Sequence, residues 1–269
     1  MADDPRFSVK SNPLSDVSGL LFDLDGVCYV GDNVIKGASE AINRIKATGL
    51  SCRFTTNTTT KSLLALFRKL VELGLPIAEH EVFGVIRAAQ TYLRSMGNPS
   101  CFLLLSEDPI KDFAEFPIDE THPDVVVIGD VGKRWGYDLM NRVFRMVIDG
   151  AEMVALHKGR YWQMEDGLRM DIGAFVAGLE YVSGKTATVI GKPSASFFEL
   201  ALNDMSLEPG EVAMIGDDIV NDIGGAQRVG MKSVLVRTGK YRPDLVRDAG
   251  ITPDLTVDSI ADIPLLLAC

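Results

Sequence analysis

LLFDLDGV, from Leu20 to Val27, is the stretch whose reading decides the fold. A short apolar run of this kind fits a buried strand of a parallel sheet. It ends on Asp23 and Asp25, with one residue between them and Gly26 behind. Open α/β sheets bind their ligands at the carboxyl ends of strands, where these two carboxylates would sit. Along an extended strand both side chains share a face. A glycine-led bend just after them lets the carboxylates reach different sides of one reacting group. D-x-D-G is also an ordinary acidic turn, so its meaning depends on the rest of the chain.

Similar strand-like runs follow the first, at 19–22, with others at 50–55, 125–128, 188–190, 212–215 and 233–236. Helix-period segments lie between them at 38–47, 61–73, 85–95, 137–148, 172–182, 194–203 and 219–228. Strand and helix alternate, which predicts an α/β protein with a doubly wound, Rossmann-like parallel sheet. One interval departs from that rhythm. HKGRYWQMEDGLRM, from His157 to Met170, reads as strands at 160–164 and 168–170 joined by a turn at Glu165, Asp166 and Gly167. A hairpin inside an α/β chain suggests an inserted lobe.

Three more clusters stand at strand ends. Arg53-Phe54-Thr55-Thr56-Asn57 is an apolar strand that stops at small hydroxyl and amide side chains. The helix after it would offer unpaired N–H groups and a positive dipole end to a phosphate. The competing reading makes Thr56 and Asn57 plain helix caps. Val189 to Ser194 carries Lys192 between a strand and a helix. Lysines at such junctions are ordinarily solvated, and only its place at a strand's carboxyl end singles it out. Ala213 to Asp222 delivers Asp217, Asp218 and Asp222 at a strand tip. A Gly-Asp turn with an N-cap accounts for part of this, but three acidic residues and a glycine exceed what capping needs. Carboxylates without histidine or thiolate neighbours select a hard cation, magnesium before zinc. Such an ion with a lysine and helix N-termini describes phosphoryl chemistry.

Composition narrows the field. A chain of 269 residues allows one large domain or two, and 46% hydrophobic with 24% charged residues is a globular mix that excludes a low-complexity chain. With 27 basic against 37 acidic residues the net charge is −10, which argues against nucleic acid and anionic membrane surfaces as partners. Cys28, Cys52, Cys101 and Cys269 form no C-x-x-C pair and read as reduced thiols. No apolar run approaches the roughly 20 residues that span a bilayer, and residues 1–12 lack a signal peptide's apolar centre. The expected location is the cytoplasm.

The clusters taken together resemble the haloacid dehalogenase superfamily of aspartate-nucleophile phosphatases. FDLDGV at 22–27, Thr56-Asn57, GKP at 191–193 and GDDIVND at 216–222 stand in that family's order and rough spacing. The long interval between the second and third motifs is similar to the large α/β cap of the p-nitrophenyl-phosphatase-type branch. GLRMDIGAFVAGLEY at 167–181, VIGKPSASFFELAL at 189–202 and VRTGKYRPD at 236–244 strengthen the likeness. The resemblance implies a catalytic core from 1–80 and 187–269 and an inserted cap from 81–186.

The resemblance also implies roles. Asp23 would attack phosphorus and form an aspartyl-phosphate, while Asp25 would protonate the leaving oxygen and then activate water. Mg²⁺ would bind Asp23, the main-chain carbonyl of Asp25, and Asp217, with Asp218 or Asp222 orienting a water or Lys192 from behind. Thr56, Asn57, Thr58 and Lys192 would hold the phosphoryl oxygens, and the hairpin with Tyr161 and Trp162 would face the substrate. Thr58 stands where many cap-bearing relatives have a second asparagine. Substrates would be small phosphate esters, phosphoramidates or pyrophosphate, and a homodimer through the cap is expected. A phosphomutase would share both aspartates. A metal-free dehalogenase fits poorly with Asp25 and Asp217, and a scaffold on the same fold fits poorly with the presence of all four of Asp23, Asp25, Lys192 and Asp217.

Overall fold

A computed structural model describes residues 12–164 and 167–267, without the side chains of 162–168. The chain divides into two compact units, one of residues 1–54, 70–77 and 202–269 and the other of 55–69 and 78–201.

In the first unit the strands Leu255–Val257, Lys232–Val236, Val212–Gly216, Gly19–Asp23 and Ser51–Thr56 lie side by side in that order, the last ending just inside the second unit. Gly19 to Phe22 pair in parallel with Val212 to Ile215, and Ala213 to Gly216 with Lys232 to Leu235. All of Gly19–Asp23 and Val212–Gly216 is buried, which is why these runs lack the polar alternation of a one-sided strand. Phe22 stacks on Phe54 with ring centroids 5.2 Å apart, a pairing that adds about 1 kcal/mol beyond its area. From Gly19–Asp23 the chain steps to one neighbour and later returns on the other side. That reversal makes the carboxyl end of this strand a topological switch point, where an open sheet leaves a crevice. Asp23 and Asp217 both stand at that end.

The second unit carries its own sheet, Thr188–Val189, Glu152–Ala155, Val125–Ile128 and Cys101–Leu104, all parallel. Val125–Ile128 is VVVI and buried throughout, as β-branched residues in a central strand should be. Helices Tyr137–Ile148 and Gly173–Ser183 close over it with Val143, Met146, Val147, Val176 and Leu179. The hairpin joins Tyr161–Met164 to Gly167–Met170 in antiparallel register, Tyr161 opposite Met170. The predicted turn residues Glu165 and Asp166 lie outside the described residues, and so does the Trp162 side chain.

The α/β expectation holds, with differences at particular elements. The helix expected at 219–228 is a π-helical turn, Ile219–Gly224, followed by a short α-helix, Gly225–Arg228. The strands Cys101–Leu104, Glu152–Ala155 and Leu255–Val257 escaped the sequence reading. Cys28, Cys52 and Cys101 are buried thiols, and burial followed by the nearby Asp23 charge pushes the Cys28 thiol well up. Among the described residues no helix is long and apolar enough to cross a membrane.

Candidate active site

The first unit assembles an acidic centre from two strand tips and the turn behind one of them. Asp23, Asp217 and Asp222 are buried, and each offers a carboxylate oxygen within 4.8 Å of the others. Asp217 is 1% exposed, and its Oδ1 has no hydrogen-bond partner among the described residues. Its Oδ2 accepts the Lys240 backbone N–H at 2.6 Å. Burial, then the Asp23 and Asp222 charges, push the Asp217 carboxyl up to about 8 from an ordinary 3.8, against the lowering pull of the Lys240 N–H and ammonium. A buried carboxylate oxygen without a donor is costly unless a cation completes it. The donor set is all oxygen, which suits a hard divalent ion.

Asp218 and Asp222, one turn apart, do different work. Asp218 Oδ1 accepts N–H groups from Val220 at 3.0 Å and Asn221 at 2.9 Å, and Oδ2 takes the Asn221 side-chain amide at 2.7 Å. It is an N-cap. Asp222 turns its carboxylate inward, with Oδ2 accepting the Asp218 backbone N–H at 3.2 Å. The capping reading therefore holds for Asp218, while Asp222 joins the buried trio. Asp25 is exposed and outside the buried trio. Gly26 N–H donates to the Tyr29 carbonyl at 2.6 Å, closing the bend that follows Asp25.

The second unit holds the threonine, asparagine and lysine positions. Lys192 is only 4% exposed, so the solvated-lysine reading fails, and its Nζ donates to Thr55 Oγ1 at 3.3 Å. Asn57 grips the Lys192 main chain from both sides, Oδ1 accepting its N–H at 3.0 Å and Nδ2 donating to its carbonyl at 2.8 Å. Thr56 Oγ1 accepts the Thr58 N–H at 3.1 Å and shares a hydroxyl hydrogen bond with Thr58 Oγ1 at 2.9 Å. The spacing had singled out Thr56 and Asn57 but not Thr55, the residue that meets Lys192. Two adjacent threonines carry no signal for which of them meets the lysine.

The helix behind this strand corrects an expectation. It starts at Leu63, six residues beyond Asn57. Asp108 Oδ2 accepts the Ser62 N–H at 2.6 Å and Asp112 Oδ2 the Leu63 N–H at 2.9 Å. Carboxylates brought in from a distant segment have taken the helix-end donors that sequence reading had offered to a phosphate. Thr56 and Asn57 are not its caps either. Tyr161 is exposed on its hairpin.

The two-sided grip of Asn57 yields a prediction. Asn57→Ala leaves the Lys192 backbone N–H and carbonyl without these partners, a cost of about 2 kcal/mol at about 1 kcal/mol per hydrogen bond. The expected result is a melting temperature lower by about 4–8 °C, together with weakened turnover. A variant that melts like the native chain would show that the grip contributes nothing.

Carboxylates gathered at the switch point of a parallel sheet, one of them with an oxygen left without a donor, fit an α/β enzyme rather than a structural module. Comparison with known proteins gives the class a family. A haloacid dehalogenase-like hydrolase pattern matches residues 20–116, and a second HAD-hydrolase-like pattern matches 189–263. Phospholysine phosphohistidine inorganic pyrophosphate phosphatase of Homo sapiens is 40% identical over 261 residues, covering 94% of this chain and 96% of its own. Haloacid dehalogenase-like hydrolase domain-containing protein 2 of Homo sapiens is 39% identical over 244 residues, covering 90% and 93%. Among solved structures, a p-nitrophenyl phosphatase from Archaeoglobus fulgidus superposes with a TM-score of 0.87 at 26% identity, over 93% of this chain and 99% of that one. The chain belongs to the haloacid dehalogenase-like hydrolase family.

Proposed function

We propose that the protein is a Mg²⁺-dependent phosphatase that hydrolyses small phosphate esters, phosphoramidates or pyrophosphate through an aspartyl-phosphate on Asp23. The observation that carries this reading is the buried trio of Asp23, Asp217 and Asp222, with the exposed Asp25 two residues from the nucleophile. Bound there, Mg²⁺ would neutralise carboxylate and phosphoryl charge. Asp23, Asp217 and Asp222 would hold it, with the Asp25 carbonyl.

Asp23 attacks phosphorus with a carboxylate oxygen. Asp25 gives a proton to the leaving atom, oxygen in an ester or pyrophosphate and nitrogen in a phosphoramidate, then takes one from the water that hydrolyses the acyl-phosphate. Burial of one carboxylate and exposure of the other support this division, because nucleophile and acid need different environments. By the motif resemblance, Lys192, Thr56 and the Asn57 backbone N–H hold the phosphoryl oxygens, where charge spreads in a loose transition state. Thr58 keeps the Thr56 hydroxyl aligned. Tyr161 and Trp162, in a cap of residues 81–186, read the leaving group, and the core is 1–80 with 187–269.

A cytoplasmic homodimer joined through the cap completes the reading. Exposed apolar side chains on the two helices over the second sheet, Tyr137 and Ile148 with Tyr181 and Val182, support the contact. Light scattering at the monomer mass would remove it.

The deciding experiment is phosphate release with Mg²⁺ across inorganic pyrophosphate, phosphohistidine, phospholysine, sugar phosphates, nucleoside monophosphates and p-nitrophenyl phosphate. The ranking of kcat/KM identifies the substrate class. Phosphoryl groups retained on a sugar would indicate a mutase or transferase, and no turnover on any member would leave a binding scaffold.

A pH prediction follows from Asp217. Its folded pKa of about 8 lies above an unfolded value of about 3.9. The raised pKa contributes stability that is full below about pH 4, falls as pH rises, and is gone above about pH 8. A metal ion binds the ionised form, so it competes with that proton. Mg²⁺ should therefore raise the melting temperature more at pH 8 than at pH 5, and Asp217→Asn should flatten the difference. Equal Mg²⁺ shifts at both pH values would sink the assignment.

A further inference from the structure

The segment VRTGKYRPD, Val236 to Asp244, was singled out by resemblance alone, and none of its side chains has a part in the reaction above. In the first unit it follows the strand Lys232–Val236, next to the strand that carries Asp217. The loop is pinned at both ends. Arg237 N–H donates to the Val257 carbonyl at 3.0 Å, and Tyr241 N–H closes a turn onto the Thr238 carbonyl at 3.1 Å. Arg242 Nη1 adds a bond to the Tyr241 carbonyl at 2.8 Å. From this frame Thr238 Oγ1 donates to the Gly26 carbonyl, in the bend between Asp25 and the Tyr29 strand. Lys240 N–H donates to Asp217 Oδ2.

Asp217 is thus held between two glycines. Gly239 has φ +58 and Gly26 φ +99, left-handed values that a side chain resists. Space excludes a side chain as firmly. A Cβ on either glycine would overlap Asp217 Oδ2, and one on Gly239 would also overlap the Gly26 Cα. Lys240 itself sits in the field of the acidic centre, with Nζ 3.9 Å from Asp218 Oδ2. Desolvation pulls its ammonium down, while Asp23, Asp217, Asp218 and Asp222 pull it up and prevail. Its side chain is 65% exposed, so solvent screens that attraction and the backbone contact is the stronger hold.

We propose that Thr238, Gly239 and the Lys240 backbone form a clamp that fixes one oxygen of Asp217, so that the other faces the metal as a single, monodentate ligand. The inference rests on the metal reading above and names the residues that make it work. One carboxylate oxygen is spent on a protein N–H, and the other, Oδ1, is the buried oxygen without a donor. A carboxylate tethered in this way cannot swing to bidentate binding. That favours the small, strictly octahedral Mg²⁺ over Ca²⁺, which accepts bidentate ligands and more of them. Partners that orient a ligand from behind typically set 10- to 100-fold in metal affinity. Thr238, Gly239 and Lys240 are positioning residues, since they act through Asp217.

The test is calorimetric titration of the full chain with Mg²⁺ and, separately, Ca²⁺, without substrate. Gly239→Ala should raise the Mg²⁺ dissociation constant by at least about tenfold and shift the Mg²⁺/Ca²⁺ preference toward Ca²⁺. Gly250→Ala is the control, because Gly250 has a similar φ of +64 and open space around its Cβ. It should change neither quantity. Thr238→Val removes the hydroxyl contact with the Gly26 carbonyl at nearly constant volume and should move both quantities in the same direction by a smaller factor. It decides the matter if Gly239→Ala does not fold. Native affinity and unchanged ion preference in Gly239→Ala, or in Thr238→Val where that variant decides, overturn the clamp and leave the metal reading standing. No Mg²⁺ binding to the native chain overturns both.

Discussion

Asp23→Asn should lower turnover by more than about 1000-fold while leaving the chain at least as stable as the native one. The substitution keeps the size of the side chain and its place at the tip of Gly19–Asp23, so the strand and its register with Val212–Gly216 survive. The amide cannot attack phosphorus as a carboxylate does. No other buried carboxylate replaces it, because the positions of Asp217 and Asp222 are set by the Lys240 and Asp218 N–H groups. A loss of 1000-fold corresponds to about 4 kcal/mol of transition-state stabilisation, a modest demand on a covalent step. The stability half of the prediction separates chemistry from misfolding. Asp23 is one of the charges that push the Asp217 carboxyl up to about 8, so an uncharged residue there relieves repulsion in metal-free protein. Steady-state phosphate release, a melting curve and an acid quench for protein-bound phosphate check both halves. Near-native turnover would end the covalent mechanism.

How much of the fold was legible depended on whether local pattern and burial agreed. Gly19–Asp23, Val125–Ile128 and Val212–Gly216 are unbroken apolar runs bounded by polar turns, and periodicity finds such strands. Cys101–Leu104 and Glu152–Ala155 are as short as Val125–Ile128 but lack its run of β-branched residues, the second opens on an exposed glutamate, and both lie close behind a helix. Short runs of that kind cannot be told from the apolar face of a helix until their neighbours in the sheet are known. Leu255–Val257 has three residues and polar flanks, and only its pairing with Val234 to Val236 makes it a strand. The π-helical turn at Ile219–Gly224 also lay beyond reach. Asp222 and Ile223 N–H groups share the Asp218 carbonyl, at 3.0 and 3.2 Å, and this widening turns Asp222 toward the acidic centre.

The site divides in the same way. Residue type and strand-end position mark Asp23, Asp217 and Lys192 in sequence, since an α/β sheet brings ligands to strand tips. Direction was not legible. Asp218 and Asp222 have the same side chain, yet one caps the turn and the other enters the buried trio. The motif offers the Asn57 backbone N–H to a phosphate and says nothing of its side-chain amide, which is occupied with the Lys192 main chain. Each outcome depends on a partner 4 or 135 residues away, settled by hydrogen-bond geometry. The same holds for Ser62 and Leu63, whose N–H groups look available until Asp108 and Asp112 arrive.

Stripping divalent ions should abolish turnover, and Mg²⁺ should restore it. Three carboxylates within 4.8 Å already repel one another. Two unit charges at about 4 Å interact by about 4 kcal/mol at an effective dielectric near 20. A dianionic phosphate brought toward the ionised trio meets that opposition from each member. Even one uncompensated pair at this scale corresponds to about a 1000-fold loss of rate. Protonating Asp217 relieves part of the repulsion, which is the direction its raised pKa already takes, but it removes a ligand and supplies no positive charge to the phosphoryl oxygens. A cation does both. Ca²⁺ should bind the same oxygens with less turnover, because its longer ligand distances and variable coordination hold nucleophile and phosphate less closely. The check is phosphate release after chelation, after Mg²⁺ addition and after Ca²⁺ addition, with Asp217→Asn as the variant that Mg²⁺ at native concentrations should fail to rescue. An enzyme indifferent to chelator would require the acidic centre to work by proton chemistry alone, and the metal reading would fall.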